Sequence, residues 1–277
     1  MVNAGWIHPQ GRAERVAGGY RISGRWRFGS GVTHCDVLVA GCEVHQDGHP
    51  EPDPATGHAK QWRVMVCSPK DFEVHDTWHT TGLAGSGSMD YSVANLFVPE
   101  AHSFSFAQPQ RPGPLYRAPD AILRKMSGVP LGMARACIDY VRMLAPERGD
   151  RETGTPWVED VRVQSTFAWA EMQLAGARAH VYDSLRSQWN KLSAEEPLTP
   201  QDRIAPALAR YHAFRACRDI VRAFYDLMGG AAAYRPSPLD RWFRDAQTMC
   251  QHAVAQDSIL QLTGNVLLGG RSTSPFF

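Results

Sequence analysis

A proline-rich stretch at residues 107–119 separates two halves of the chain that carry different patterns. Before it, short runs of alternating apolar and polar residues are punctuated by glycine and proline, which is typical of β-strands and turns. After it, apolar residues recur every three, four or seven positions, which is typical of amphipathic helices. The pattern predicts a β-domain at residues 1–106, a linker at 107–119 and a helical domain at 120–277.

The stretch GGYRISGRWRFGSGVTHCDVLVAG at residues 18–41 organises the β half. It predicts one strand, a tight turn at Ser23 and Gly24, a second strand, a glycine-flanked loop and a third strand at residues 35–40. The same alternation predicts further strands at residues 62–67, 72–75 and 91–98.

Ser30 in the glycine-flanked loop is the first candidate binding residue. Its neighbours Gly29 and Gly31 have no β-carbon, so the backbone could approach a flat, polar ligand there. A sheet corner that needs glycine for its own geometry explains the same residues, and spacing alone does not decide between the two interpretations.

The helical half predicts four long helices joined by short connections, typical of an antiparallel four-helix bundle. The first begins at Asp120, a plausible N-cap, and the third ends at Gly229 and Gly230. The fourth is predicted as one helix over residues 239–268. The second, after Pro156, carries one apolar stripe, formed by Val161, Ala168, Met172, Ala175, Ala179, Tyr182 and Trp189.

Composition excludes several classes of function. The formal net charge of +1 gives no electrostatic case for binding nucleic acid or a membrane surface. No apolar run approaches the roughly 20 residues that span a bilayer. The six cysteines include no Cys-x-x-Cys pair, which predicts reduced thiols in the cytoplasm. No histidine or cysteine has a partner at metal-ligand spacing on a suitable element, so no metal site is predicted.

The glycine-flanked loop, together with Arg244, Asp245 and Ala246, resembles the acyl-CoA dehydrogenase superfamily. In that superfamily an aromatic residue and a hydroxyl two positions later lie against a flavin ring, and here these are Phe28 and Ser30. The sequence is most similar to the flavin-dependent monooxygenase branch, the two-component hydroxylases. The resemblance implies an α+β protein, with an antiparallel β-barrel or sandwich-like domain followed by an antiparallel four-helix bundle.

The resemblance covers the whole chain but only two of the family's three domains. No counterpart of the N-terminal helical domain is recognisable, which predicts either a fragment or a natural short form.

The resemblance also implies roles for individual residues. Ser30 would bond near flavin N5, and Phe28 would cover the ring, with Gly29 and Gly31 beside it. The loop at residues 78–90, WHTTGLAGSGSMD, resembles a family loop near the flavin pocket.

His252 is the second predicted catalytic residue. Counting from the Arg-Asp-Ala motif, the glutamate of common dehydrogenases falls on Ala253, which cannot accept a proton, and the monooxygenase branch has a histidine one position earlier. Imidazole exchanges protons near neutrality, so His252 is predicted to act as a general base or to steady the reacting flavin.

Three further residues are implied at the cofactor's phosphates. Arg148 resembles the arginine of a Glu-Arg motif that reaches the flavin phosphates of a neighbouring subunit, although the family's following Phe-Gly is absent. Gly229 and Gly230 resemble a glycine turn that meets the diphosphate, although Ala232 stands where a later glycine is expected. A solvated helix-terminal arginine and a plain helix stop remain alternatives.

The predicted function is the oxygenase component of a two-component monooxygenase that hydroxylates an aromatic or heteroaromatic substrate. A reductase would supply reduced FAD or FMN, and the chain would form a homo-oligomer, expected to be a tetramer. The alternatives are an acyl-CoA dehydrogenase, acting on an acyl substrate, and a non-catalytic remnant that only oligomerises.

Overall fold

The computed structural model describes residues 1–54, 58–118 and 120–271. The chain divides into two compact units, Met1–Pro112 and Gly113–Phe277. Pro119 of the predicted linker and residues 272–277 of the predicted helical domain lie outside the described residues.

The first unit is built on one open sheet of eight strands in the order β6-β7-β2-β1-β3-β5-β8, with β4 paired to β3. Strands β1 and β3 are parallel, whereas the other pairs are antiparallel. The predicted β-domain is confirmed, but the described strands form a mixed sheet that does not close into the barrel that the prediction gave beside a sandwich-like domain. The strands are β1 Asn3–Val16, β2 Gly19–Gly29, β3 Val37–Gln46, β4 His49–Pro50, β5 Trp62–Cys67, β6 Glu73–His75, β7 Met89–Pro99 and β8 Ser103–Phe104.

The turn predicted at Ser23 and Gly24 does not exist, because β2 continues through both residues. Gly24 is paired with Gly11 of β1, and a β-carbon on Gly24 would lie 2.7 Å from the Cα of Gly11. The glycine therefore serves a close approach between two strands and not a reversal of the chain. The chain reverses instead between β1 and β2, before Gly19, where Gly18 has a φ of +79°.

An aromatic group forms the centre of the sheet unit's core. Trp26 and Tyr91 are fully buried, and their rings stack with centroids 5.5 Å apart. The indole N–H of Trp26 donates to the Gly41 carbonyl at 2.7 Å, and the Tyr91 hydroxyl donates to the Val39 carbonyl at 2.6 Å. Both rings thus bury their apolar surface while their polar atoms remain hydrogen-bonded.

The second unit is helical, and α4 packs against four other helices, α2, α3, α5 and α6. Asp160 caps the start of α3 through the backbone amides of Arg162 and Val163, and Thr199 forms a capping box with Asp202 before α4. No helix in the described ranges is long and apolar enough to cross a membrane. The helices are α1 Ala121–Arg124, α2 Gly128–Leu144, α3 Val161–Ser193, α4 Pro200–Met228, α5 Leu239–Met249 and α6 Ser258–Leu267.

The fourth predicted helix is in fact two helices. α5 ends at Met249, α6 begins at Ser258, and a 3₁₀ turn at Ala253–Ala255 lies between them. Guanidinium groups on α4 bond the carbonyls of this turn: Arg210 Nε donates to Val254 O, and Arg215 donates to Ala255 O, both at 3.1 Å. These long-range bonds hold the turn against α4, where a continuous helix would have used the carbonyls for its own ladder.

The apolar stripe predicted on the second helix exists on α3, but it faces solvent. Met172 is 61% exposed, Tyr182 53% and Trp189 47%. The core-facing side of the same helix carries Val163, Ala170, Leu174, Ala177, Val181 and Leu192. α3 therefore has two apolar faces, and the helical unit covers only one of them.

Candidate functional site

The end of β2 presents an open aromatic face. Phe28 is 48% exposed and has a φ of +61°, which is unusual for a bulky side chain. Its ring lies 5.7 Å from that of Trp6 and 6.3 Å, edge to face, from that of Trp78. Backbone strain of this kind concentrates at functional sites, so the exposed ring is a candidate contact for a flat ligand.

The two glycines of this loop have different reasons to be glycine. A β-carbon on Gly29 would lie 2.8 Å from the ring of Tyr91 and 2.9 Å from the Met89 carbonyl. Gly31 has a φ of +79°, and a β-carbon there would have ordinary contact distance, 3.5 Å, to the His34 ring. The sheet itself therefore requires Gly29 and the backbone conformation requires Gly31, so neither glycine by itself is evidence of a ligand.

The Ser30 hydroxyl, at the surface, is bonded to the loop that precedes β7. Its Oγ lies 2.7 Å from Ser88 Oγ, and Ser88 Oγ lies 2.8 Å from Ser86 Oγ. Ser86 Oγ donates to the Leu83 carbonyl at 2.7 Å, and the same carbonyl accepts from the indole N–H of Trp78 at 3.0 Å. These bonds hold loop 78–90 against Ser30.

His252 lies in the break between α5 and α6 and not on a helix, so its predicted helical setting was wrong. Its Nδ1 accepts a hydrogen bond from the Val254 amide at 3.2 Å. A neutral imidazole with an accepting Nδ1 carries its proton on Nε2, which makes Nε2 a donor. The neighbouring Ala253, where a dehydrogenase would have its glutamate, is exposed and opens the 3₁₀ turn.

The surroundings of His252 favour its neutral form. The ring retains solvent-accessible surface, but the atoms around it and the nearby charge of Arg210 lower the pKa of His252 below its ordinary value. Burial likewise lowers the pKa of Arg210 to about 10, so its guanidinium remains charged at neutral pH. The hydrogen bond from Arg210 to Val254 O and that from Val254 N to His252 therefore fix the imidazole on one side.

The helical unit has a second candidate site, a cavity of about 360 Å³ lined by Arg148, Gly229 and Gly230 together with Arg151 and Arg162. The Arg148 guanidinium lies 5.5 Å from the centre of the Trp157 ring, and within the described chain it forms no ion pair. Gly229, in a positive-φ conformation, ends α4. The arginines and the glycine turn together make a cavity suited to an anion.

The structure thus groups some of the predicted residues. Ser30 and Phe28 share one loop, and Arg148, Gly229 and Gly230 share one cavity, whose lining does not include His252. Sequence reasoning missed Ser86 and Ser88 as partners of Ser30. The repeated Gly-Ser of residues 85–88 is the signal that could have identified them. No group of three metal-ligating side chains is found among the described residues.

Comparison with known proteins gives consistent matches. A model of the acyl-CoA dehydrogenase C-terminal domain matches residues 125–257. Indole-3-acetate monooxygenase of Pseudomonas putida is 32% identical over 97% of this chain and 67% of its own length. The FADH₂-dependent resorcinol hydroxylase oxygenase component of Rhizobium sp. is 24% identical over 94% of this chain and 67% of its own length. The chain spans about two thirds of the length of these relatives.

Solved structures match in fold. XiaF from Streptomyces sp., determined with FADH₂ and glycerol, superposes with a TM-score of 0.86 at 24% identity, over 99% of this chain and 70% of its own. The HsaA monooxygenase of M. tuberculosis also gives a TM-score of 0.86, at 20% identity, over 99% and 71% of the two chains. With a relative 32% identical over 97% of this chain, the chain belongs to the flavin-dependent monooxygenase branch of the acyl-CoA dehydrogenase superfamily.

Proposed function

We propose that this chain is the oxygenase component of a two-component monooxygenase that hydroxylates an aromatic or heteroaromatic substrate with reduced FAD or FMN from a partner reductase. The observation that carries the proposal is the pairing, on one loop, of the exposed Phe28 ring with the exposed Ser30 hydroxyl. The names of the relatives, monooxygenases and hydroxylases, favour this activity over that of an acyl-CoA dehydrogenase.

The residues of the loop fit a flavin ring. Phe28 offers an apolar face for stacking, and Ser30 Oγ offers a hydrogen bond to the edge at N5. Gly29 and Gly31 keep the backbone of the loop close to the sheet. When bound, reduced flavin supplies the electrons with which oxygen is activated.

The arginine-lined cavity of the helical unit fits the phosphates of a flavin. Arg148 would contribute a bidentate donor, and the backbone amides of Gly229 and Gly230 would contribute a second contact, toward the cofactor of a neighbouring subunit. Its charge supports this: the lining carries three arginines, Arg148, Arg151 and Arg162, against the two carboxylates of Asp150 and Glu152.

His252 would act as a hydrogen-bond donor in the reaction. Because its Nδ1 accepts from Val254, the neutral ring has Nε2–H and not a free lone pair to present to a reacting oxygen atom. We therefore propose that His252 is a hydrogen-bond donor and not the general base that the sequence predicted.

The exposed stripe of α3 supports assembly into a homo-oligomer, for which we propose a tetramer. A stripe from residue 161 to residue 189 extends for about 42 Å along a helix. Soluble monomers rarely leave so long an apolar face open. All six cysteines are unpaired thiols, which suits a cytoplasmic protein.

The test is to supply chemically reduced FMN or FAD, ¹⁸O₂ and indole-3-acetate, the substrate for which two relatives are named, to the purified chain. The proposal predicts a hydroxylated product that contains one ¹⁸O atom. Bleaching of bound flavin by an acyl-CoA without oxygen would instead favour a dehydrogenase. Failure to bind either flavin would indicate a chain that only oligomerises.

A further inference from the structure

Three serine hydroxyls and one carbonyl form a continuous series of hydrogen bonds that begins at the exposed Ser30 and passes through the buried Ser88. The order is Ser30, Ser88, Ser86 and the Leu83 carbonyl, with oxygen–oxygen distances of 2.7, 2.8 and 2.7 Å. Ser30 is exposed, whereas Ser88 is only 5% exposed. Bulk water therefore has little access to Ser88, in the middle of this series of hydrogen bonds.

The donor-to-acceptor direction of this series of hydrogen bonds follows from counting protons. A carbonyl can only accept, so Ser86 gives its single hydroxyl proton to Leu83 O. Ser86 then accepts from Ser88, and Ser88, having used its proton, accepts from Ser30. With all three bonds made, Ser30 has no proton left to offer and presents only lone pairs outward.

We propose that Ser88 and Ser86 are positioning residues that make Ser30 an obligate hydrogen-bond acceptor, so that the site distinguishes reduced from oxidised flavin. This rests on the proposed contact of Ser30 with flavin N5. Reduced flavin carries a hydrogen on N5 and can donate to Ser30. Oxidised flavin has a lone pair there, which faces the lone pairs of Ser30.

The discrimination suits an enzyme that receives reduced flavin from a separate reductase. Oxidised flavin would otherwise compete for the same site. The series of hydrogen bonds ends on the Leu83 carbonyl, which also accepts from Trp78. Reversing the direction of donation would therefore require Ser86 to give up its bond to this carbonyl. The reversed order would leave the hydrogen bond between Ser86 Oγ and the Leu83 carbonyl unmade, so the order that ends on the carbonyl is the one in which all three bonds form.

The experiment measures the dissociation constants of oxidised and dithionite-reduced FMN, and of FAD in parallel, with the whole chain under anaerobic conditions. The unmodified chain binds the reduced form more tightly. Ser88→Ala returns to Ser30 the ability to donate, so the ratio of the two constants falls about tenfold, mainly through tighter binding of oxidised flavin. For a two-electron couple, that tenfold change lowers the reduction potential of the bound flavin by about 30 mV.

Matched variants separate this effect from a loss of structure. Ser86→Ala, at a less buried position, lowers the ratio in the same direction, and Ser86→Thr, which keeps the hydroxyl, preserves it. Ser92→Ala on β7 removes a serine that bonds His75 at 2.7 Å and leaves the ratio unchanged.

The outcomes distinguish this inference from the function on which it rests. A chain that binds neither flavin, or a Ser30→Ala variant that changes neither constant, contradicts the proposed site. If Ser30→Ala alters binding but Ser88→Ala and Ser86→Ala keep the ratio of the unmodified chain, the site stands and the role of the serine chain is refuted.

Discussion

The two units differ in where they leave large apolar side chains exposed. The sheet unit buries Trp26, Tyr20 and Tyr91 fully within itself, and its exposed Phe28 lies on a loop with a polar partner. The helical unit leaves Met172 and Trp189 exposed on α3, in a stripe that runs along one face of the helix. In the function proposed above, exposed aromatic surface therefore has two roles: a ligand contact on the sheet unit, and a contact with a second copy of the chain on the helical unit.

The largest expected effect tests the claim that the sheet unit is complete by itself. Trp26→Ala removes a fully buried indole that stacks on Tyr91 and bonds Gly41 O, so it should lower the free energy of unfolding by about 4 kcal/mol. Chemical denaturation followed by circular dichroism measures this. The loss should not depend on protein concentration, and a change below 1 kcal/mol would mean that the core is loosely packed.

The next effect tests whether the helical unit needs a second copy. Met172→Glu with Trp189→Glu places two charges on the α3 stripe and should weaken self-association at least 100-fold, about 2.8 kcal/mol. Sedimentation velocity over a concentration series measures the assembly. Arg222→Gln, an exposed charge change on α4, serves as the control and should leave the mass unchanged. An unaltered oligomer in the double variant would reject the stripe as the interface.

An effect of about the same size concerns the donor role of His252. His252→Ala should lower hydroxylation about 100-fold while flavin affinity stays within about twofold. His252→Gln, whose amide can donate in place of Nε2–H, should recover part of the activity. Equal losses in both variants would argue for a general base, which glutamine cannot replace.

The smallest expected effect also concerns His252 and is a shift in the pH dependence of hydroxylation. Because burial and Arg210 lower the pKa of His252, the neutral ring persists to a pH below the ordinary midpoint of about 6.5. Protonation of Nδ1 removes the acceptor for Val254 N–H, so hydroxylation should decline only as pH falls below about 6.5. A pH–rate profile should show this acid limb in the unmodified chain and lack it in His252→Gln.

Most strands and helices could be predicted from the sequence, because alternation and helical periodicity depend on local pattern alone. The strand predicted at residues 62–67 is confirmed, and so is the predicted end of the third helix at Gly229, which caps α4. The resemblance also led correctly to the family, since its motifs are short and contiguous.

The errors arise where distant residues decide the structure. Ser23 and Gly24 have the composition of a turn, but the approach of Gly11 across the sheet makes Gly24 part of a strand. The residues around His252 contain neither proline nor glycine, so no local signal predicts the break, and the bonds that hold it come from Arg210 and Arg215 on a distant helix.

Two other features could not be derived from periodicity. α3 is apolar on two faces, and periodicity cannot tell which face the unit buries. The parallel pairing of β1 with β3 is equally invisible, because pattern reveals that strands exist but not which strands pair.

The most direct test of the central claim, that flavin N5 rests on Ser30, is NMR of reduced flavin labelled with ¹⁵N at N5 and bound to the chain. The account predicts that the N5–H resonance moves upfield in Ser30→Ala, because the proton loses its acceptor, and stays in place in Ser92→Ala. An N5–H resonance that is identical in the unmodified chain and in Ser30→Ala would contradict it.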